Sequence, residues 1–124
     1  GFALSYTHFH YGDMRLEKQR IGAGDSTLET CQIQNDGAAE GDEVVQLYIR
    51  DLLSSVARPV MELKGFQRIH LLAGEEKQIS FTITPGMLSM LDKQLHSVVE
   101  PGGFRIMIGS SSRDIRLKET LTVN

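Results

Sequence analysis

Two adjacent pairs of carboxylates are the residues best suited to chemistry in this sequence, Asp42-Glu43 and Glu75-Glu76. Hydrolysis by paired carboxyl groups needs the two groups roughly 5 to 9.5 Å apart, on either side of the bond that breaks. Neighbouring residues of a strand point to opposite faces, so a strand at Asp42 would separate its two carboxylates. Glu75 and Glu76 follow Gly74 in a predicted hairpin turn, where solvated charge is typical. The carboxylates therefore predict no active site.

The sequence also offers few possible metal ligands or nucleophiles. His8 and His10 are two residues apart and would share one face of a strand, but the sequence supplies no third ligand nearby. Cys31 alternates with Ile33, which predicts an inward side chain that behaves as a small hydrophobe. The serines of "GSSS" at 109–112 lack the G-x-S-x-G pattern of a nucleophile elbow and predict a turn. We therefore predict no catalytic residue, no metal site and no cofactor.

The segment "EGDEVVQLYIRD" at 40–51 shows which elements would position such residues. Its residues alternate with the period of two that is typical of a half-buried strand. Val45, Leu47 and Ile49 share the parity that we assign to the core. Val44 and Tyr48 lie on the other parity and make the outer face of the strand unusually apolar. This outer face is predicted to meet something other than water.

The rest of the chain repeats the same pattern. Alternating apolar residues predict about seven short strands separated by turns, with helical spacing only at 87–91. Phe66, Ile69 and Leu71 are assigned to one strand with a bulge or bend at Gly65. Glu119 interrupts the last strand at core parity and predicts a bulge or an edge position there.

Such spacing favours an antiparallel β-sandwich of the immunoglobulin or fibronectin type III kind, with a barrel as the alternative. The chain has one Cys and no Trp. It therefore lacks the Cys-Trp-Cys core of immunoglobulin domains, which favours the fibronectin type III variant.

The composition limits the classes of partner. The chain has 124 residues, 40% of them hydrophobic, and a net charge of -3 without a basic run. These values are typical of one globular domain and predict no nucleic-acid partner. No apolar stretch approaches the roughly 20 residues that a membrane helix needs, so no membrane partner is predicted.

The segment from Leu52 to Gly65 is predicted to be a long loop. It mixes apolar residues with Arg58 and Pro59, and Pro59 restricts Arg58 to an extended shape. The Arg58 guanidinium would then have a defined direction, toward a carboxylate or a backbone carbonyl.

Two alternatives arise for the outer face of the strand that precedes this loop. In the first, another domain contacts this face through Val44, Tyr48, Arg58 and Pro59. In the second, the loop itself closes this edge of the sandwich, and Arg58 pairs within the domain, for example with Glu62.

An ordered set of segments resembles the C-terminal fibronectin type III-like domain of glycoside hydrolase family 3 enzymes, the β-glucosidase and β-xylosidase group. The resemblance spans the chain and rests on "GFALSYTHF" (1–9), "GDEVVQLYIRD" (41–51), "RPVMELKGFQRIHLLAGE" (58–75), "VVEPGGFRIMIGSSS" (98–112) and "DIRL" (114–117). In that family this domain follows a barrel and an α/β sandwich, which carry the nucleophile and the acid/base residue. Neither catalytic motif is present here, so the resemblance implies a fragment without enzyme activity.

The resemblance also implies an organisation and a role. Residues 1–8 would link from a preceding domain, and residues 9–124 would form the fibronectin type III-like domain. The chain would be a non-catalytic accessory domain that braces the catalytic domains of the same polypeptide. The alternative is a free-standing adhesion or carbohydrate-binding sandwich, which the lack of an Arg-Gly-Asp tripeptide and of Trp disfavours.

Overall fold

The computed structural model describes residues 7–52 and 60–124, which form two packed β-sheets, a small two-stranded ribbon and one short helix. The strands are β1 (Phe9–Leu16), β2 (Arg20–Ile21), β3 (Thr27–Asn35), β4 (Gly41–Asp51), β5 (Met61–Leu71), β6 (Glu76–Ile83), β7 (Met90–Leu91), β8 (Ser97–Val98), β9 (Gly102–Ser111) and β10 (Asp114–Val123). The helix α1 spans Pro85–Leu88.

The prediction of an antiparallel β-sandwich is confirmed. One sheet has the order β1-β3-β6, the other has the order β2-β10-β9-β4-β5, and β7 pairs with β8 in a small ribbon. Within the described ranges, seven strands have eight or more residues, which matches the predicted number. The remaining three are two-residue strands, and β2 pairs with β10 in parallel. Since the two main sheets are separate, the barrel alternative is wrong.

Alternation along the strands fills the space between the sheets. Val45, Leu47 and Ile49 of β4 are buried, as predicted, and β9 adds Ile106 and Ile108 beside them. The same alternation in β3 buries every second residue from Thr27 to Asn35. A fully buried Leu, Ile or Phe stabilises the fold by about 1.5 to 3 kcal/mol relative to an exposed one, so this layer supplies much of the driving force for folding.

Asn35 closes the end of the sandwich near the turns. Its side-chain Nδ2 donates to the carbonyl oxygens of Ala39 at 2.8 Å and Leu71 at 3.1 Å, and its Oδ1 accepts from the Gly37 N–H at 3.0 Å. The side chain is fully buried. It thereby satisfies backbone groups that would otherwise be buried without partners.

Gly65 marks the predicted bulge in β5. The register between β4 and β5 shifts opposite Leu47 and Tyr48, so that Lys64 is the extra residue. A Cβ atom at Gly65 would lie 3.5 Å from the Phe81 ring, an ordinary packing distance, so Gly65 faces the core beside the bulge. Phe66 has the parity opposite to Gly65 and Leu71, so it points outward and is 66% exposed, and the bulge places Leu63 on the same outward face.

The segment before β5 and the position of Glu119 in β10 differ in how well the sequence predicted them. The loop predicted from Leu52 to Gly65 is too long, because Met61–Gly65 already belong to β5 and pair with β4. Glu119 lies at an edge, one of the two positions predicted for it, since β2 pairs with β10 only at Thr122 and Val123. Its half-buried side chain can therefore reach solvent at the open side of the sheet.

Candidate functional site

The paired carboxylates do not form an active site in the described residues. Asp42 is exposed on the outward side of β4, whereas Glu43 lies on the inward parity and accepts a hydrogen bond from the Tyr11 hydroxyl at 3.0 Å. Glu75 accepts from the backbone N–H of Leu72 at 2.8 Å in the β5–β6 turn. These carboxylates face different directions and serve local structure.

The two histidines and the cysteine are the next candidates for chemistry. His8 is exposed and bonds to Asp36 through its Nδ1, which lowers the pKa of that carboxyl below its usual value. His10 is exposed. Cys31 is buried, as predicted, and its burial raises the pKa of the thiol, so the reactive thiolate form is disfavoured. Over residues 7–52 and 60–124 no group of three His, Cys, Asp or Glu side chains is placed to hold a metal ion.

The sequence pattern did not predict the burial of the Glu29 carboxyl. Glu29 points into the core from β3, two residues before Cys31, and is fully buried. Neither carboxyl oxygen has a hydrogen-bond partner in the described part of the chain. Burial raises its pKa to about 8, and the neighbouring Cys31 thiol lowers it by less. The group cannot reach a substrate, so its importance is for stability.

The Arg116 side chain of β10 contacts strand β1 of the other sheet. Arg116 donates to the Phe9 carbonyl oxygen at 2.6 Å, and its guanidinium lies 4.8 Å from the centre of the Tyr11 ring. It also binds Asp114, which lowers the pKa of that carboxyl to about 2. Every member of this network contacts another member, which indicates a structural role.

The outer face of the five-stranded sheet is the strongest candidate for a functional site. We define it as the outward positions of β4, β5, β9 and β10. At its centre, Tyr48 lies opposite Met107 on β9 and opposite Leu63 on β5. Tyr48 and Met107 are buried although neither belongs to the core cluster between the sheets. The predicted apolar character of this face is therefore present at Tyr48, and Val44 is half-buried beside it.

Two exposed apolar side chains extend this centre along β5. Leu63 is 51% exposed, and Phe66, which lies opposite Gln46, is 66% exposed. Together with Tyr48 and Met107 they form a group that we call the apolar patch. Single exposed apolar residues are ordinary, but a contiguous group on one sheet face is characteristic of an interaction site. Leu63 and Phe66 are three residues apart but share this face, because the extra residue Lys64 lies between them.

The patch is bounded at one end by a closed ionic cluster. Asp42 accepts two hydrogen bonds from Arg68, at 3.1 and 2.8 Å, and a third contact comes from His70. The His70 and Arg68 bonds lower the pKa of the Asp42 carboxyl below its usual value. All three side chains are exposed. Charges satisfied in this way are typical of the polar rim of an interface.

The other predicted contact residues, Arg58 and Pro59, lie outside the described residues. Glu62, the partner for Arg58 in the second alternative, forms an ion pair with Lys64 at 3.2 Å. Both line a cleft of about 160 Å³ with an apolar floor that includes Ile49 and Phe104. This volume is below the roughly 300 to 1,000 Å³ of typical ligand pockets. A small-molecule site is not indicated there.

The fold and the site together define a β-sandwich domain whose most distinctive feature is an apolar sheet face. A model of the fibronectin type III-like domain family matches residues 43–112. The chain therefore belongs to the fibronectin type III-like domain family. No helix in the described ranges is long and apolar enough to cross a membrane.

Relatives and solved structures place similar domains within much longer enzymes. A β-xylosidase of Formosa agariphila is 46% identical over 99% of this chain, which corresponds to 17% of that protein. A β-glucosidase of Listeria innocua solved with glucose matches 99% of this chain with a TM-score of 0.88 and 35% identity, over 17% of its own length. A GH3 β-glucosidase of Bifidobacterium adolescentis matches with a TM-score of 0.86 and 32% identity, over 98% of this chain and 18% of its own. The chain thus spans less than a fifth of each of these three proteins.

Proposed function

We propose that this chain is the non-catalytic C-terminal accessory domain of a family 3 glycoside hydrolase that cleaves β-glucosidic or related bonds. In this proposal residues 1–8 lead from a preceding domain and residues 9–124 form the accessory domain. Its role is to brace the catalytic domains of the same polypeptide. The support is a match over nearly the whole chain to proteins that are more than five times longer.

The observation that carries the bracing role is the apolar patch. An isolated domain gains nothing from exposing Phe66 and Leu63, since covering apolar surface is worth about 25 cal/mol per Å² removed from water. A neighbouring domain that covers them recovers this free energy. In this proposal Val44, Arg58 and Pro59 belong to the same contact. Tyr48 is only 8% exposed in this chain, so a partner would remove little of its side chain from water.

The non-catalytic assignment rests on the positions of the carboxylates. Asp42 and Glu43 occupy opposite faces of β4, and Glu29 is enclosed in the core. None of these provides two carboxyl groups facing a common substrate. We expect the purified chain to release no product from aryl β-glucosides or aryl β-xylosides. Turnover that one carboxylate substitution in this chain abolishes would contradict the assignment.

The bracing role is tested by placing a charge in the patch of the full-length polypeptide. Phe66→Asp should lower the thermal stability and the activity of the whole enzyme, because an uncompensated carboxylate would be forced into the interface. The matched control is Leu95→Asp, since Leu95 is 75% exposed at the tip between β7 and β8, away from the patch. The isolated chain should tolerate both changes. Equal effects of the two substitutions in the full-length enzyme would contradict docking through the patch. Binding of the isolated chain to a polysaccharide would instead favour the carbohydrate-binding alternative.

A further inference from the structure

The outer face carries a positive charge that the chain as a whole does not have. The net charge of the chain is -3. At the outward positions of β4, β5, β9 and β10, however, the register brings together Arg50, Arg105 and Lys118. The one carboxylate at the outward positions between Asp42 and Arg50 is Asp42, which Arg68 and His70 already neutralise. We call Arg50, Arg105 and Lys118 the cationic rim.

Two of these cations stand directly opposite each other. Arg50 of β4 pairs with Arg105 of β9, and Met107 of β9 pairs with Lys118 of β10. Side chains at directly opposite positions have Cβ atoms about 4.5 to 5.5 Å apart, and like charges there are destabilising. In the described part of the chain neither arginine has a carboxylate partner. The isolated domain therefore keeps a repulsion that any anionic group at this position would relieve.

The cationic rim adjoins the apolar patch. Tyr48 is two residues from Arg50 on the same face of β4, and Met107 is two residues from Arg105 on β9. An apolar centre with a charged border on one side is the usual arrangement of a protein interface. Arginine binds carboxylates through two parallel hydrogen bonds, which fixes the orientation of the partner as well as adding affinity.

We propose that the surface docked on the outer face is acidic. Its Asp or Glu carboxylates bind the Arg50–Arg105 pair and Lys118, while an apolar part of the same surface covers Phe66 and Leu63. The partner is a neighbouring domain of the same polypeptide, so this inference rests on the proposed function and specifies the chemistry of its interface. The rim gives the docking one orientation, because only one end of the patch is cationic while the Asp42 end is neutralised.

Charge reversal at Arg105 tests the inference because its effects should differ in sign between two samples. In the isolated chain, Arg105→Glu places a carboxylate opposite Arg50 and replaces a repulsive pair by an attractive one, so the unfolding midpoint should stay or rise. In the full-length polypeptide the same change sets two carboxylates against each other across the interface. The inactivation half-life on heating should fall about tenfold, which corresponds to about 1.4 kcal/mol of lost docking free energy.

The control is Arg113→Glu, which reverses an exposed charge in the turn between β9 and β10, away from the rim. It should leave the half-life of the full-length polypeptide unchanged. High salt should reduce the difference between the Arg105→Glu variant and the parent protein, as screening requires.

The outcomes distinguish the proposal that a domain docks on the outer face from the proposal that its surface is acidic. If Phe66→Asp shortens the half-life of the full-length polypeptide and Arg105→Glu does not, the patch docks but the partner surface is not acidic, and the inference is overturned. A longer half-life of Arg105→Glu would indicate a basic partner and would overturn it equally. If neither substitution has an effect, docking through the outer face itself is wrong. A lower midpoint of Arg105→Glu in the isolated chain would show that the arginine stabilises the domain internally, which also contradicts the inference.

Discussion

The substitution Glu29→Gln should remove a pH-dependent loss of stability from this domain. Burial raises the pKa of the Glu29 carboxyl from its ordinary value of 4.5 to about 8, and the neighbouring Cys31 thiol lowers it by less. Between these two values the folded chain holds a proton that the unfolded chain has released. The free energy of unfolding should therefore fall as the pH rises through this window and level off above it. Glutamine has nearly the same shape and never ionises.

The magnitude follows from the two pKa values. A pKa difference of one unit is worth about 1.4 kcal/mol, so ionisation of Glu29 should cost the folded state on the order of 5 kcal/mol at pH 9. Near pH 5 both side chains are neutral in the folded proteins, and the free energies of unfolding should differ by only about 1 kcal/mol. Near pH 9 the Gln variant should be more stable by about 3 to 5 kcal/mol. Most of this difference should develop between pH 5 and pH 8.

The assay is urea unfolding of the two proteins at several values between pH 5 and pH 9. Comparing the variant with the parent at each pH removes the contributions of all other titrating groups. Glu76→Gln is the matched control, because Glu76 is an exposed carboxylate at the start of the neighbouring strand β6. Its stability difference from the parent should not change with pH. A constant difference between Glu29→Gln and the parent protein over this range would refute the reasoning.

Two further predictions concern the core and the turns. Leu47→Ala should lower the free energy of unfolding by about 2 to 5 kcal/mol, since Leu47 is fully buried, whereas Leu72→Ala at a 54% exposed position should have little effect on the urea midpoint. Asn35→Ala should cost roughly 2 to 4 kcal/mol because it leaves buried backbone groups without partners, and Asn124→Ala at the exposed chain end should cost much less. A negligible midpoint shift for either buried position would show that the assigned packing is wrong.

Much of the fold could be predicted from the alternation of apolar and polar residues. The predictions that failed did so for local structural reasons. The buried parity of Val45, Leu47 and Ile49 and the inward direction of Cys31 were predicted because an uninterrupted strand allows only two faces. The outward direction of Phe66 follows from alternation with buried Leu71, whereas the placement of Leu63 on the same face depends on the extra residue at Lys64. A bulge changes the parity of the residues after it, and its position is set by the partner strand.

The candidate site was predictable only in part, for the same kind of reason. The apolar outer parity of Val44 and Tyr48 is visible in one strand. The Arg50–Arg105 pair joins residues that are far apart in the sequence, and only the register between β4 and β9 brings them together. Glu29 gave no signal because a carboxylate at core parity resembles an edge position, as Glu119 does. The register between distant strands is a tertiary property that alternation within one strand does not encode, and so is the burial of a polar side chain such as Glu29.

The central claim is that a neighbouring domain of the same polypeptide covers the apolar patch, and side-chain footprinting with hydroxyl radicals tests it most directly. In the isolated chain, Phe66 and Leu95 are both largely exposed and should both be oxidised. In the full-length polypeptide, Phe66 should be protected while Leu95 remains as reactive as before. If Phe66 is oxidised equally in the two samples, the patch is open to solvent in the whole protein and the account is contradicted.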